Sequence, residues 1–172
     1  MRLKRDGQTY CRGAPETMVE TVEERLKALG LELPEAPQPL ANYLPNLVSG
    51  DLLFISGQIS KAADGTVISG ILGGGHTIAE GEFAARQCAL SILAQSKAAL
   101  GSLDRIERVV RITGYVASTP EFRDHPQVIN GASDLLVAVL GDAGRHTRAA
   151  IGVASLPFGA AVEIDAIMKV RA

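Results

Sequence analysis

Between Arg148 and Val170 the sequence runs RAAIGVASLPFGAAVEIDAIMKV. On either side of a Leu156-Pro157-Phe158-Gly159 turn it alternates with a period of two. Before the turn, Ala149, Ile151 and Val153 alternate with Arg148, Ala150, Gly152 and Ala154. After it, Val162, Ile164, Ala166, Met168 and Val170 alternate with Ala161, Glu163, Asp165, Ile167 and Lys169. That period gives an extended chain one apolar face for the core. The stretch therefore predicts two strands, paired antiparallel about the Pro157 turn, with Arg148 roughly opposite Glu163. The second face carries an Arg, two acids and small residues. Small neighbours leave space for a ligand beside the Arg; the plainer alternative is a solvated face.

The remaining chain is expected to wrap this pair. Residues 1–16 lack periodicity and read as a mobile tail. Thr17–Leu29 reads as a helix, with Thr17 and Glu20 at capping-box spacing and Gly30 as the stop. Three prolines make 31–40 an extended connector, and residues 17–172 are expected to form a single domain. Ala41–Ser49 and Leu52–Gly57 read as a hairpin about Gly50-Asp51, a type II′ sequence. A further strand is expected near Val67–Ile71, and Gly73-Gly74-Gly75 as loop. A helix opening at Thr77 or Ile78 and running to Leu100 buries Ala84, Ala85, Cys88, Ala89, Ile92 and Leu93, so Cys88 reads as a core residue. Arg105–Ala117 reads as a strand with Val110, Ile112, Gly114 and Val116 on one face. Gln127–Leu140 reads as a second long helix. Strand–helix–strand connections favour parallel strands and right-handed crossovers. Both helices would then cover one face of a mixed sheet, and a partner subunit is the simplest cover for the other.

Composition narrows the function. The 172 residues carry a net charge of −2, and no basic cluster follows a helix or strand face, so nucleic acid is not an expected partner. No apolar run has membrane-spanning length, and the start does not read as a signal peptide. Two cysteines, Cys11 and Cys88, make neither a disulfide framework nor a zinc site, and a reducing cytoplasm is the expected location. Gly73-Gly74-Gly75-His76 lacks the Lys of a P-loop, and there is no nucleophile elbow. His76, His125 and His146 are widely spaced, without a metal-ligand pattern, and read as surface residues.

What remains is Arg148 with Glu163. A guanidinium presents a planar fork that clamps a carboxylate, and a nearby carboxylate holds and activates water. Together they suit hydrolysis of a bond next to a small acid's carboxylate. The alternative is a structural salt bridge across the strands.

The same residues carry a family resemblance. Leu52–Ile59 (LLFISGQI), Val128-Ile129-Asn130, and Arg148 through Leu156-Pro157 to Val162–Ile167 (VEIDAI) resemble the YjgF/RidA, or endoribonuclease L-PSP-like, family over about residues 41–171. The pattern is most similar to a longer subgroup with an added N-terminal helix and the helix sequence Ile129–Asp134. The resemblance implies an α+β, chorismate-mutase-like fold: a mixed sheet backed by two long helices. It implies a homotrimer around a central barrel, with three clefts between subunits. It also implies hydrolysis of reactive 2-imino and 2-enamino acids to 2-oxo acids and ammonia, without cofactor or metal. By position, Arg148 is similar to the carboxylate-binding Arg and Glu163 to the water-orienting Glu; Tyr43, Ser56 and Asn130 fall at cleft positions. The chain departs from the family at Ala150, where a Cys is frequent, and in the Asn42-Tyr43-Leu44-Pro45 context of Tyr43. Two other readings stand beside the deaminase: a non-enzymatic trimer that binds small carboxylates, and, more weakly, a ribonuclease.

Overall fold

The computed structural model describes residues 20–36 and 42–171. The expected tail at 1–16, the Thr17 cap and the chain at 37–41 lie outside the described residues. The first helix, α1 (Val22–Ala28), starts from Thr21, not from Thr17. Thr21 Oγ1 accepts from the Glu24 backbone N–H, and Glu24 returns a bond to the Thr21 N–H at 2.8 Å. The sequence holds two Thr-x-x-Glu spacings one turn apart, and the helix uses the second. From Thr21 onward Val22 and Leu26 enter the core, and Arg25 donates to the Val139 carbonyl at 3.0 Å.

Strands β1 (Asn46–Ser49) and β2 (Leu52–Ile59) form a hairpin about Gly50-Asp51, with a positive φ at Gly50 as a type II′ turn requires. The first strand is shorter than the expected Ala41–Ser49: residues 42–45, Tyr43 among them, are not strand. The long helix α2 (Ile78–Leu100) is capped reciprocally by Thr77 and Glu80 and ends at Gly101, φ 79°. Cys88 is buried there, as expected, and burial pushes its thiol pKa well up. Strand β3 (Ile106–Ala117) leads to α3 (His125–Leu140), whose first turn carries Pro126; α3 starts two residues before the expected Gln127. Strands β4 (Thr147–Val153) and β5 (Val162–Val170) follow.

The five strands form one mixed sheet in the order β1-β2-β5-β3-β4. This corrects the expected hairpin of β4 and β5. The chain leaves β4 through a short 3-10 turn at Pro157–Gly159 and crosses the sheet to insert β5 between β2 and β3, antiparallel to both. Strand β4 instead pairs parallel with β3 across the α3 crossover. The expected strand at Val67–Ile71 is not part of the sheet. That segment makes single bridges, Lys61 with Val67 and Ser69 with Ala160, between turns at Gly65 and the Gly73–Gly75 loop.

Two faces also differ from expectation. Register shifts in β3 near Val109 turn Val109 into the core and Val110 outward. In β4 the apolar residue Ile151 is 44% exposed, while Ala150 packs against the core. Alternation identified a strand there, but its larger residues point away from the helices.

Both long helices lie on one face. Val162, Ile164, Ala166 and Met168 of β5 meet Ala85, Ala89, Ile92 and Leu93 of α2 and Val128, Ile129, Ala132 and Leu136 of α3 in the buried core. The opposite face carries Phe54, Val110 and Ile151, all exposed, around a polar centre of Tyr115, Glu163 and Asp165. Among the described residues no element covers it.

Candidate active site

Arg148 leaves the edge strand β4 on the helix side, in register with the buried Ile112. Its guanidinium reaches α3. Nη1 donates to Ser133 Oγ at 2.9 Å, and Nη2 donates to Asn130 Oδ1 at 2.9 Å and to the Pro126 carbonyl at 3.2 Å. Asn130 and Ser133 are three residues apart, so one helix face presents both. The anchor continues inward: Ser133 Oγ lies 3.1 Å from His146 Nε2, and His146 Nδ1 bonds the Gly144 carbonyl. A carbonyl only accepts, so Nδ1 carries a proton toward Gly144, and Ser133 Oγ, in contact with Nε2, accepts from Arg148. His146 is therefore a half-buried prop behind Ser133, not the expected surface histidine.

All three acceptors of Arg148 are neutral, and no carboxylate pairs with it among the described residues. The guanidinium is fixed in position with its charge uncompensated. That is the electrostatic condition for binding an anion.

Glu163 lies elsewhere. It is on the opposite face of the sheet, in register with Tyr115 on one side and Ile59 on the other. The expected Arg148–Glu163 juxtaposition is therefore absent within one chain, because β3 separates β4 from β5 and the two side chains point to opposite faces. Burial first, then the neighbouring Asp165, raise the Glu163 pKa above the ordinary carboxylate value. Tyr115 Oη donates to Asp165 Oδ2 at 3.2 Å. The register of β2 shifts between Ile55 and Gln58, and the carboxylate occupies the space over Gly57. A Cβ added at Gly57 would fall 2.0 Å from Glu163 Oε1, so the carboxylate lies directly against this backbone.

Ser56, beside Gly57, donates to the Leu44 carbonyl at 2.8 Å and so fixes the segment that carries Tyr43. Tyr43 is 52% exposed. The five residues thus fall into two groups. Arg148 and Asn130 sit at the β4–α3 edge; Tyr43, Ser56 and Glu163 gather at the β1–β2 side. The sequence did not single out Ser133, the Pro126 carbonyl or Tyr115. Ser133 was one helical turn from Asn130, which is the signal that reaches it.

The fold and these motifs agree with known proteins. The family model described as "YjgF/chorismate_mutase-like, putative endoribonuclease" matches residues 23–165. The chain belongs to the YjgF family. A curated relative, Protein TCP17 of Trypanosoma cruzi, is 48% identical over 151 residues, covering 87% of this chain and 94% of that protein. The crystal structure of protein Atu1372 from Agrobacterium tumefaciens, described as of unknown function, matches with TM-score 0.81 and 49% identity over 88% of this chain and 94% of its own. A structure from Shewanella oneidensis named as an endoribonuclease of that uncertain kind matches with TM-score 0.84 and 36% identity over 87% and 99%. The α+β sheet backed by two helices is thus the chorismate-mutase-like fold of the YjgF family, as the resemblance implied.

Proposed function

We propose that this YjgF protein hydrolyses reactive 2-imino and 2-enamino acids to 2-oxo acids and ammonia, in clefts formed between the copies of a homotrimer. The observation that carries the reading is Arg148: a cation held by Ser133, Asn130 and the Pro126 carbonyl, with no acidic partner among the described residues. These acceptors use three of its five N–H groups, and the Nε–H and one Nη1–H remain to meet a carboxylate.

The split of the site supports assembly. In a ring of sheets, the β1–β2 side of one copy meets the β4 edge of the next, which joins Tyr43, Ser56 and Glu163 to Arg148 and Asn130. The uncovered apolar rim of Phe54, Val110 and Ile151 gives such an assembly something to bury.

In the reaction, Arg148 fixes the carboxylate and presents the adjacent iminium carbon. Water held by Glu163 adds to that carbon as the carboxylate takes its proton. Glu163 returns that proton to nitrogen, and the C–N bond of the tetrahedral adduct breaks. As the carbonyl forms, the hydroxyl proton passes by way of Glu163 to the departing ammonia, which leaves as ammonium. Reactants and products balance as iminium acid plus water to 2-oxo acid plus ammonium. The raised pKa of Glu163 suits a group that both takes and returns a proton.

The decisive measurement is release of ammonia and 2-oxo acid from freshly generated 2-aminoacrylate and 2-iminobutanoate. The parent is expected to exceed the spontaneous rate and Arg148→Ala to lose that acceleration while keeping its assembly. A parent no faster than buffer would overturn the activity for these substrates. Retained carboxylate binding would then favour the non-enzymatic reading. The ribonuclease named for relatives finds little support in a net charge of −2.

A further inference from the structure

Arg148, Ala150 and Gly152 lie on one face of β4, and α3 runs along that face in the opposite direction, as a parallel β3–α3–β4 crossover requires. Where Arg148 meets Asn130 and Ser133, Gly152 meets the start of α3. There a cavity of about 510 Å³ opens, lined by Ser118, Thr119, Phe122, His125, Gly152 and Val153 among others.

The cavity is built, not incidental. Ser118 Oγ and His125 Nε2 are 3.0 Å apart. A Cβ added at Gly152 would fall 2.3 Å from His125 Nε2 and 2.8 Å from Ser118 Oγ, so glycine alone admits the pair. The Ser118 N–H is held by the Val153 carbonyl at 3.0 Å, and the Thr119 N–H by the Leu72 carbonyl at 2.9 Å. The Gly-rich loop closes the back: a Cβ at Gly73 would lie 2.7 Å from Thr119 Oγ1 and 3.2 Å from Phe122 Cβ. Whichever of Ser118 and His125 donates to the other, the pair keeps one further donor without a protein acceptor among the described residues.

Charge points the same way. No Asp or Glu lines the cavity. Arg123, on its wall, is held by the Pro120 and Phe122 carbonyls, and among the described residues it has no carboxylate partner. It repeats the condition of Arg148, a cation fixed by neutral acceptors. The Pro126 carbonyl that Arg148 holds adjoins His125, so the two sites meet at the first turn of α3. Asn130 and His125 lie about 7.5 Å apart along its axis, the scale of a short acid with a functional group at each end.

We propose that this cavity receives the side chain of the acid whose carboxylate Arg148 holds, and that Ser118, His125 and Arg123 select a second, terminal carboxylate. The substrate class is then a 2-imino dicarboxylic acid of about five carbons. The proposal rests on the imino-acid reading of Arg148, but it is tested by binding alone.

Two stable 2-oxo acids of equal length serve as probes: 2-oxoglutarate, ending in a carboxylate, and 2-oxopentanoate, ending in a methyl group. Calorimetric titration of the full chain is expected to show 2-oxoglutarate bound at least tenfold more tightly. The double variant Ser118→Ala/His125→Leu brings that ratio to within twofold, and Arg148→Ala weakens both acids. Gly152→Ala, whose methyl displaces the imidazole, narrows the ratio independently should the double variant fail to fold. Equal affinities in the parent, or a folded double variant that keeps the preference, overturn the proposal. Hydrolysis of 2-iminobutanoate by a parent that binds both acids equally overturns the cavity's role alone. A parent that binds neither acid overturns it together with the reading of Arg148.

Discussion

Arg148 is held in place by Ser133, Asn130 and the Pro126 carbonyl. Ser133→Ala removes one of its three anchors and the link to His146. One hydrogen bond to a charged group is worth about 1.5 kcal/mol, so 2-oxobutanoate affinity is expected to fall about tenfold in that variant, read by calorimetry, with assembly unchanged. Glu163 gives a pH-dependent prediction. Its carboxyl is raised above the ordinary value by burial and then by Asp165, so the folded chain holds that proton more tightly than the unfolded chain does. Ionising it therefore costs stability. The cost is absent below about pH 3.5, where both states are protonated, grows as pH rises through the ordinary carboxylate range, and is complete above the folded pKa. Glu163→Gln, melted beside the parent at equal protein concentration, should gain on it as pH rises from 4 toward neutrality, by about a degree or more, and match it at the acid end. A gain that instead appeared only in acid would contradict the environment described for this carboxyl. At this scale the sequence identified Arg148, Asn130 and Glu163 largely through resemblance. Spacing alone suggested the Arg148–Glu163 pair for a geometric reason that fails, because those residues face opposite sides of the sheet.

The elements show which signals are local. The Thr77 start and Gly101 stop of α2 and the Gly50-Asp51 turn were legible because each is settled within a few residues. Even so, the expected Thr17 cap for α1 gave way to Thr21, whose exchange with Glu24 starts the helix. Strand pairing was not legible. Alternation marks a strand and its two faces, but not its neighbour or which face meets the helices; β4 followed by a turn and β5 reads as a hairpin until β2 and β3 claim both edges of β5. The contact between α2 and α3 was equally hidden. A Cβ at Gly131 would lie 2.1 Å from the Glu82 carbonyl oxygen, a backbone atom with no rotamer to escape into. Gly131→Ala is expected to destabilise the protein by about 3 kcal/mol in urea titration, despite the better helix propensity of alanine. Unchanged stability would mean that the helices separate at little cost.

For the whole molecule, the bare sheet face is the strongest demand. Sedimentation equilibrium is expected to give three times the mass of one chain. Ile151→Asp places a charge on the exposed rim and should shift that mass toward a single chain, since burying an ionised carboxylate without a partner costs several kcal/mol. A trimer indifferent to that change would place the interface elsewhere. The strand order has a further consequence, for synthesis. Strand β5 is made after the four others of the sheet, yet it is the middle one: the Val162 N–H meets Ser60 across 102 residues of sequence. Until it emerges, β1–β2 and β3–β4 are separate two-stranded ribbons, each with an unpaired hydrogen-bonding edge awaiting the same insert. This sheet therefore cannot be completed strand by strand as the chain is made, and its edges stay open to aggregation and to chaperones until β5 emerges.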